Sequence, residues 1–258
     1  DTVSLASKQP LPYSKKDFSL VDGEHLMAQS TVKSLFELGA HFGHKKQRSN
    51  PASRKYTFGV RHGVFIIDLE KTARLLEEAE QAVQALAKEG KTILFVGTKS
   101  QAREAVVKYA KEIGMPYVAS KWLGGTLTNF ETVRENLKRV ESLRKEQEDE
   151  KWDSLTKHER KRKVDLLNKL EARFAGISTL SQLPDALFVV DAQEEKTAIE
   201  EARKLALTIV ALVDTNANPD LVDYPIPAND DAPRTIEFII SRIASAIATG
   251  ISKRPKLK

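Results

Sequence analysis

The chain has no cysteine among its 258 residues. That excludes disulfide frameworks, cysteine-ligated zinc and thiol catalysis, and it fits a reducing compartment. No uninterrupted apolar run approaches the roughly 20 residues needed to span a bilayer, so a soluble chain without membrane contact is expected. Several catalytic signatures are also missing. Gly90-Lys91-Thr92 resembles the end of a phosphate loop, but Ala85 stands where its first glycine belongs, and the segment precedes a strand instead of following one. Gly97-Thr98-Lys99 lacks the three-glycine dinucleotide pattern, and no Gly-x-Ser-x-Gly elbow occurs. Asp191-Ala192-Gln193 lacks the second carboxylate of an aspartyl phosphotransferase. On these grounds no catalytic residue is assigned. The most informative absence is local: Leu38 to Ile67 contains neither Asp nor Glu, yet it carries Lys45, Lys46, Arg48, Arg54, Lys55 and Arg61.

A one-signed run of this kind has no internal ion-pair partner, so it faces solvent or an external polyanion. His41, His44, Phe42, Phe58 and several glycines interleave with the cations, and the segment runs directly into the strand-like Val64-Phe65-Ile66-Ile67. A basic loop tied to a folded core points to nucleic acid. The overall balance of 41 Lys+Arg against 36 Asp+Glu is a modest +5, so distribution carries more information than total. A hydrophobic content of 41% supports a substantial core.

Alternation of apolar strands and amphipathic helices organises the rest. A short helix capped by Ser30 or Thr31 precedes the basic loop. Two extended segments, Tyr56–Val60 and Val64–Asp68, follow it, and then the helix Glu70–Lys88. Strands are expected at Thr92–Val96, Tyr117–Ser120, Ala186–Asp191, Ile209–Asp214 and Tyr224–Pro227. Helices are expected at Gln101–Ile113, Glu194–Leu207 and Thr235–Ala248. This order implies an α/β fold with a parallel sheet covered on both faces. Glu131–Arg173 breaks the rhythm, with 13 Lys/Arg and 11 Asp/Glu in 43 residues. Its sparse apolar positions, Val133, Leu137, Val140, Leu167, Leu170 and Phe174, fall at spacings of 3 and 4. That is the narrow seam of an antiparallel helical hairpin, expected to project from the sheet domain. The domain reading is an N-terminal extension over 1–30, a sheet domain over 31–130 and 174–250, a coiled-coil hairpin inserted over 131–173, and a basic tail over 251–258.

Candidate sites follow from this layout. RNA phosphates would be met by Lys45, Lys46, Arg48, Arg54, Lys55 and Arg61, with Lys121 and the cluster Arg160-Lys161-Arg162-Lys163 adding charge. In open parallel sheets ligands collect beyond the strand carboxyl ends, where Asp68, Asp191 and Asp214 would lie. Converging acids there could hold a cation, the basis of a competing reading as a metal-dependent enzyme acting on phosphorylated small molecules. A narrower possibility is a structural divalent metal held by His44 with Asp191 or Asp214. A third reading is a scaffold whose charged hairpin recruits proteins. Trp122-Leu123-Gly124-Gly125-Thr126-Leu127-Thr128-Asn129 is either a tight turn capping the core or a docking loop. Asp214-Thr215-Asn216 and Ala228-Asn229-Asp230-Asp231-Ala232 are turn formers and helix caps by type.

Taken together, the motifs resemble the bacterial form of the small-subunit ribosomal protein number two family. The stretches that carry the likeness are Gly39-Ala40-His41-Phe42-Gly43-His44, Asn50-Pro51, Phe58-Gly59, Ile66 to Thr72, Ile93 to Lys99, Trp122 to Asn129, Leu183-Pro184-Asp185-Ala186, Val213 to Asn216 and Ile226 to Ala232, in family order. The resemblance implies a flavodoxin-like three-layer sheet domain with a projecting antiparallel coiled coil. It implies a non-catalytic cytoplasmic protein, one copy per ribosome, that binds small-subunit rRNA at the junction of head and body. Neighbouring ribosomal proteins, among them the mRNA-capturing one built of OB-fold repeats, are implied as partners, and no cofactor is implied as required. Departures are Lys121 where arginine is common, Ala52-Ser53 after Asn50-Pro51, Gln182 for glycine, and Ala206-Leu207-Thr208 for a Gly-x-Pro.

Overall fold

A computed structural model describes residues 23–149, 152 and 154–254. Its helices are α1 (Gly23–Glu37), α2 (Leu69–Lys88), α3 (Ser100–Glu112), α4 (Phe130–Glu148), α5 (Lys157–Phe174), α6 (Lys196–Lys204) and α7 (Pro233–Ser252). Its strands are β1 (Phe42–Lys45), β2 (Thr57–Arg61), β3 (Val64–Ile67), β4 (Ile93–Val96), β5 (Tyr117–Val118), β6 (Ala186–Val190), β7 (Thr208–Val213) and β8 (Tyr224–Pro227). The last five form one parallel sheet in the order β5-β4-β6-β7-β8. Counted from β4 as the first, that is 2-1-3-4-5, the flavodoxin-like order, and the direction of winding reverses between β4 and β6.

Side-chain parity along β4 shows why the sheet needs cover on both faces. Ile93 and Phe95 join a core with α1, α2, α3 and α7, whereas Leu94 and Val96 join another with α4, α5 and α6. All four side chains are fully buried. β6 divides the same way, and Phe95 meets Phe188 edge-on at 5.2 Å between ring centroids. The result is the three-layer fold expected from the resemblance.

The charged insertion forms two antiparallel helices. Val133, Leu137, Val140 and Leu143 of α4 are buried with Leu167, Leu170 and Phe174 of α5. Arg144 pairs with Glu171 at 2.6 Å, and Lys163 with Glu146 at 2.6 Å. Thr156 opens α5 with a capping box completed by Glu159. The seam is continuous with the core on that face of the sheet, so the hairpin is rooted in the core instead of standing wholly apart from it.

A second, three-stranded antiparallel sheet has the order β1-β3-β2. β1 is not expected from the sequence, because four residues with one glycine and two polar side chains carry no periodicity; pairing to β3 makes them a strand. α1 begins at Gly23 instead of Ser30 or Thr31, since Glu24, Leu26, Met27, Ala28 and Gln29 are all good helix formers. α7 runs on to Ser252, and Arg254 Nε donates to the Ala87 carbonyl at 2.7 Å, docking the start of the basic tail. The rest of the tail and residues 1–22 lie outside the described residues. By length and composition α7 is apolar enough to cross a membrane, although Arg234, Glu237 and Arg242 leave it without an uninterrupted apolar run. Ile236, Ile239, Ile240, Ile243 and Ile247 are instead fully buried in the core.

Candidate functional site

The acid-free segment folds as the small sheet and two short 3-10 turns. Asn50 caps the second turn through its side chain, accepting from Ala52 N–H at 2.9 Å, and Pro51 occupies the first position. The segment is bolted to the loop after β7: Asn50 N–H donates to the Thr215 carbonyl at 2.8 Å, His44 N–H to Thr215 Oγ1 at 2.8 Å, and Ser53 Oγ to the Ala217 carbonyl at 2.5 Å. Gly43 is required there, since a Cβ would come within 2.7 Å of the Thr215 side chain.

Of the predicted phosphate contacts, Lys45, Lys46, Arg48 and Arg54 are exposed, and Arg61 is half-buried. Lys45 and Arg61 flank Val64 in one cross-strand row. None of these five has a carboxylate partner among the described residues. Lys55 differs: it pairs with Asp220 at 2.6 Å, and that hydrogen bond raises its pKa. Both groups are exposed, so the pair is weak and exchangeable. Lys121, Lys161 and Arg162 are exposed, Arg160 is half-buried, and Lys163 is engaged by Glu146. The large hydrophobic side chains exposed among the described residues are Phe42 (51%), Phe58 (61%) and Val60 (46%), all of them in this basic segment. Exposed apolar and cationic groups therefore share one segment of the chain.

At the carboxyl ends of the parallel strands lies a cluster of charge. Lys99, just after β4, reaches Asp191 at 3.0 Å, Asp230 at 2.6 Å and Asp231 at 2.8 Å. Burial opposes its charge, but hydrogen bonds to Asp230 and Asp231 outweigh this and raise its pKa. His44 Nδ1 lies 3.1 Å from Asp214 Oδ2, and Nε2 lies 3.7 Å from Asp231 Oδ2. The Asp214 hydrogen bond holds the imidazole above its ordinary range. Asp230 is fully buried, and desolvation together with Asp191 and Asp214 pushes its carboxyl up to about 8.

The expected metal grouping of His44 with Asp191 and Asp214 is assembled differently. Asp191 is occupied by Lys99 and by the N–H groups of Gln193 and Glu194, both at 3.0 Å. The three groups whose ligand atoms lie within 4.8 Å of one another are His44, Asp230 and Asp231. Sequence reading took Asp230 and Asp231 for turn formers and gave Lys99 no role. A signal was present in two adjacent acids next to a strand end, but only the fold brings Lys99 to them. The acids of the enzyme reading are also committed elsewhere, with Asp68 capping α2 through Glu70 and Lys71 N–H at 3.1 and 3.4 Å. His41 and His44 do not act as a pair: His41 is buried and stacked on Phe36 at 4.6 Å, and burial lowers its pKa.

The Trp122–Asn129 loop wraps a buried carboxylate. Glu201 of α6 accepts from Trp122 Nε1 at 3.1 Å, Gly125 N–H at 2.8 Å, Leu127 N–H at 2.9 Å and Thr128 N–H at 3.1 Å. Burial alone would raise its pKa, but these donors outweigh it and hold the carboxyl below its ordinary value. Gly125, at a φ of 88°, makes the turn possible. The motif is thereby explained as a core-capping turn.

Comparison with known proteins places this architecture. Residues 35–250 match the family described as ribosomal protein S2. The chain belongs to that family. Among ribosomal S2 relatives, a small ribosomal subunit protein uS2 of Coprothermobacter proteolyticus is 49% identical over 224 residues, covering 87% of this chain and 84% of its own length. Others from Nitratiruptor sp. and Koribacter versatilis are 48% and 47% identical, covering 85% and 87% of this chain and 82% and 74% of their own. Ribosomal S2 is a structural family and not an enzyme, which disposes of the reading as a metal-dependent enzyme acting on phosphorylated small molecules.

Proposed function

We propose that this chain is a structural component of the small ribosomal subunit and binds its rRNA through the acid-free sheet. The observation that carries the reading is the coincidence, in one acid-free segment anchored to the parallel sheet, of Lys45, Lys46, Arg48, Arg54 and Arg61 with the exposed Phe42, Phe58 and Val60. Cations without internal partners neutralise phosphates, and exposed aromatic rings accept unstacked bases, the usual pairing in RNA recognition. Names of the relatives, small ribosomal subunit protein uS2, agree with it. Lys121 and the first turns of α5, with Arg160, Lys161, Arg162 and Lys163, extend the footprint, with Lys55 contributing once it releases Asp220. Within this reading the protein lies at the head–body junction in one copy per cytoplasmic ribosome. It helps dock the mRNA-capturing OB-repeat protein, makes no membrane contact and requires no cofactor for RNA binding.

Charge reversal of Lys45, Lys46 and Arg48 to Glu tests it. Each phosphate contact contributes about 0.7–0.9 to the slope of log affinity against log salt, so the triple variant should lower the slope by about 2–3. Incorporation into small subunits on a sucrose gradient should fall, while the thermal midpoint stays close to that of the parent. Undiminished incorporation would remove this face from the interface.

A further inference from the structure

Among the described residues, Lys55 is the one cation of the acid-free segment with a carboxylate partner, Asp220 at 2.6 Å. Both ends of that pair are anchored through their backbones. The Lys55 carbonyl accepts from Lys71 Nζ at 2.9 Å, and Lys71 also pairs with Asp68 at 3.3 Å. Asp220 sits in the 3-10 turn Pro219–Leu221, where Asn218 Oδ1 accepts its N–H at 3.0 Å. Ser53 Oγ, donating to the Ala217 carbonyl, ties the two turns together. Only side chains need to move for the pair to open. Asp220 also borders a cavity of about 630 Å³ between the end of α6 and the start of β8. Arg203 stands on the same cavity, exposed and without a carboxylate partner among the described residues. The other acid there, Asp223, already gives Oδ2 to Ile209 N–H at 2.8 Å. An unpaired guanidinium and an exchangeable carboxylate thus share one opening.

We infer that Asp220 is an internal competitor for RNA phosphate at Lys55, and that it turns to Arg203 across the cavity when RNA takes the lysine. The inference rests on the acid-free segment binding RNA. An exposed ion pair is weak enough for a ligand to break. A lone phosphate and a carboxylate compete for the ammonium on similar terms, so free phosphate gains little by displacing Asp220. RNA already held by the neighbouring Arg54 presents its next phosphate at high effective concentration, and that tips the exchange. Lys55 is thereby reserved for a polyanion, which makes Asp220 a specificity-determining residue although it touches no RNA. Arg203, whose planar fork suits a carboxylate, draws the released acid away from the incoming backbone.

The experiment measures binding of the purified full-length chain to protein-free small-subunit rRNA across a salt series. Asp220→Asn should bind about two- to fivefold more tightly at low salt, the range in which exposed pairs act, and the advantage should fade as salt screens the pair. In a Lys55→Gln background the same change should have no effect, because no lysine is left to unmask. Arg203→Gln should weaken binding while Asp220 is present and make no difference in Asp220→Asn. All three side chains are exposed, so the variants fold and keep thermal midpoints close to that of the parent. A gain that persists without Lys55 would reduce Asp220 to a general field effect and overturn the inference. Parent-like affinity of Asp220→Asn or of Arg203→Gln would overturn it too. If instead charge reversal of Lys45, Lys46 and Arg48 leaves rRNA affinity intact, the underlying RNA reading is what has failed.

Discussion

Glu201 shows what one residue contributes. Its carboxylate gathers the indole and three backbone N–H groups of the Trp122–Asn129 loop, so its removal strands the buried Trp122 indole and Leu127 N–H without an acceptor. Glu201→Gln puts an amide NH2 against two of those donors and should cost about 2–3 kcal/mol, read from urea midpoints at neutral pH. The pH dependence has a definite sign. A folded-state pKa below the ordinary 4.5 contributes stability that is present above 4.5 and is lost as pH falls through the folded value. The gap between parent and Glu201→Gln should therefore narrow on acidification below 4.5. A gap that stayed constant would mean that the carboxylate charge is not what orders the loop.

Among the elements, α2 and α7 approach each other closely at Gly250. At Gly250 an added Cβ would lie 2.4 Å from the Gln84 carbonyl oxygen and 2.8 Å from Ala87 Cβ. Replacing a helical glycine by alanine ordinarily gains up to about 1 kcal/mol, but here the obstacle is backbone, which cannot swing aside. Overpacking of about 1–3 kcal/mol should win, and Gly250→Ala should lower the thermal midpoint; an increase would mean that the helices separate freely. The strands were readable for the same reason that this packing is tight. β4, β6 and β7 are apolar along their whole length because both faces are covered, and that pattern survives in one dimension. β1 was not readable, since Phe42–Lys45 owes its strand conformation to β3 and to Thr215, far along the chain. The basic residues of the candidate interface were legible as an acid-free run. Lys99, Asp230 and Asp231 were not, because their meaning arises only when β4 and β8 deliver them to the same end of the sheet.

For the molecule as a whole, the consequential feature is that the cationic sheet is held rigidly by a different part of the chain. Thr215 is the joint: its carbonyl accepts from Asn50, its hydroxyl oxygen accepts from His44 N–H, and the same hydroxyl donates to Asp214 Oδ1 at 3.0 Å. Asn229 adds a second attachment, with its N–H to the Ala40 carbonyl at 3.0 Å and its side chain to the Gly39 carbonyl at 3.1 Å. Rigidity matters because a preordered surface does not lose conformational entropy again on binding. Thr215→Val preserves shape and every charge but leaves the His44 N–H without an acceptor, a local cost of about 1–3 kcal/mol. Amide exchange over residues 42–61 should accelerate as a unit, while β4 and β6 stay protected. If the sheet binds RNA as proposed, affinity should drop while the salt slope stays that of the parent, because the number of phosphate contacts is unchanged. A fall in slope equal to that of the charge-reversal variant would mean that Thr215 governs which cations reach the RNA. An unchanged affinity would show that the loop after β7 carries the sheet without ordering it for binding.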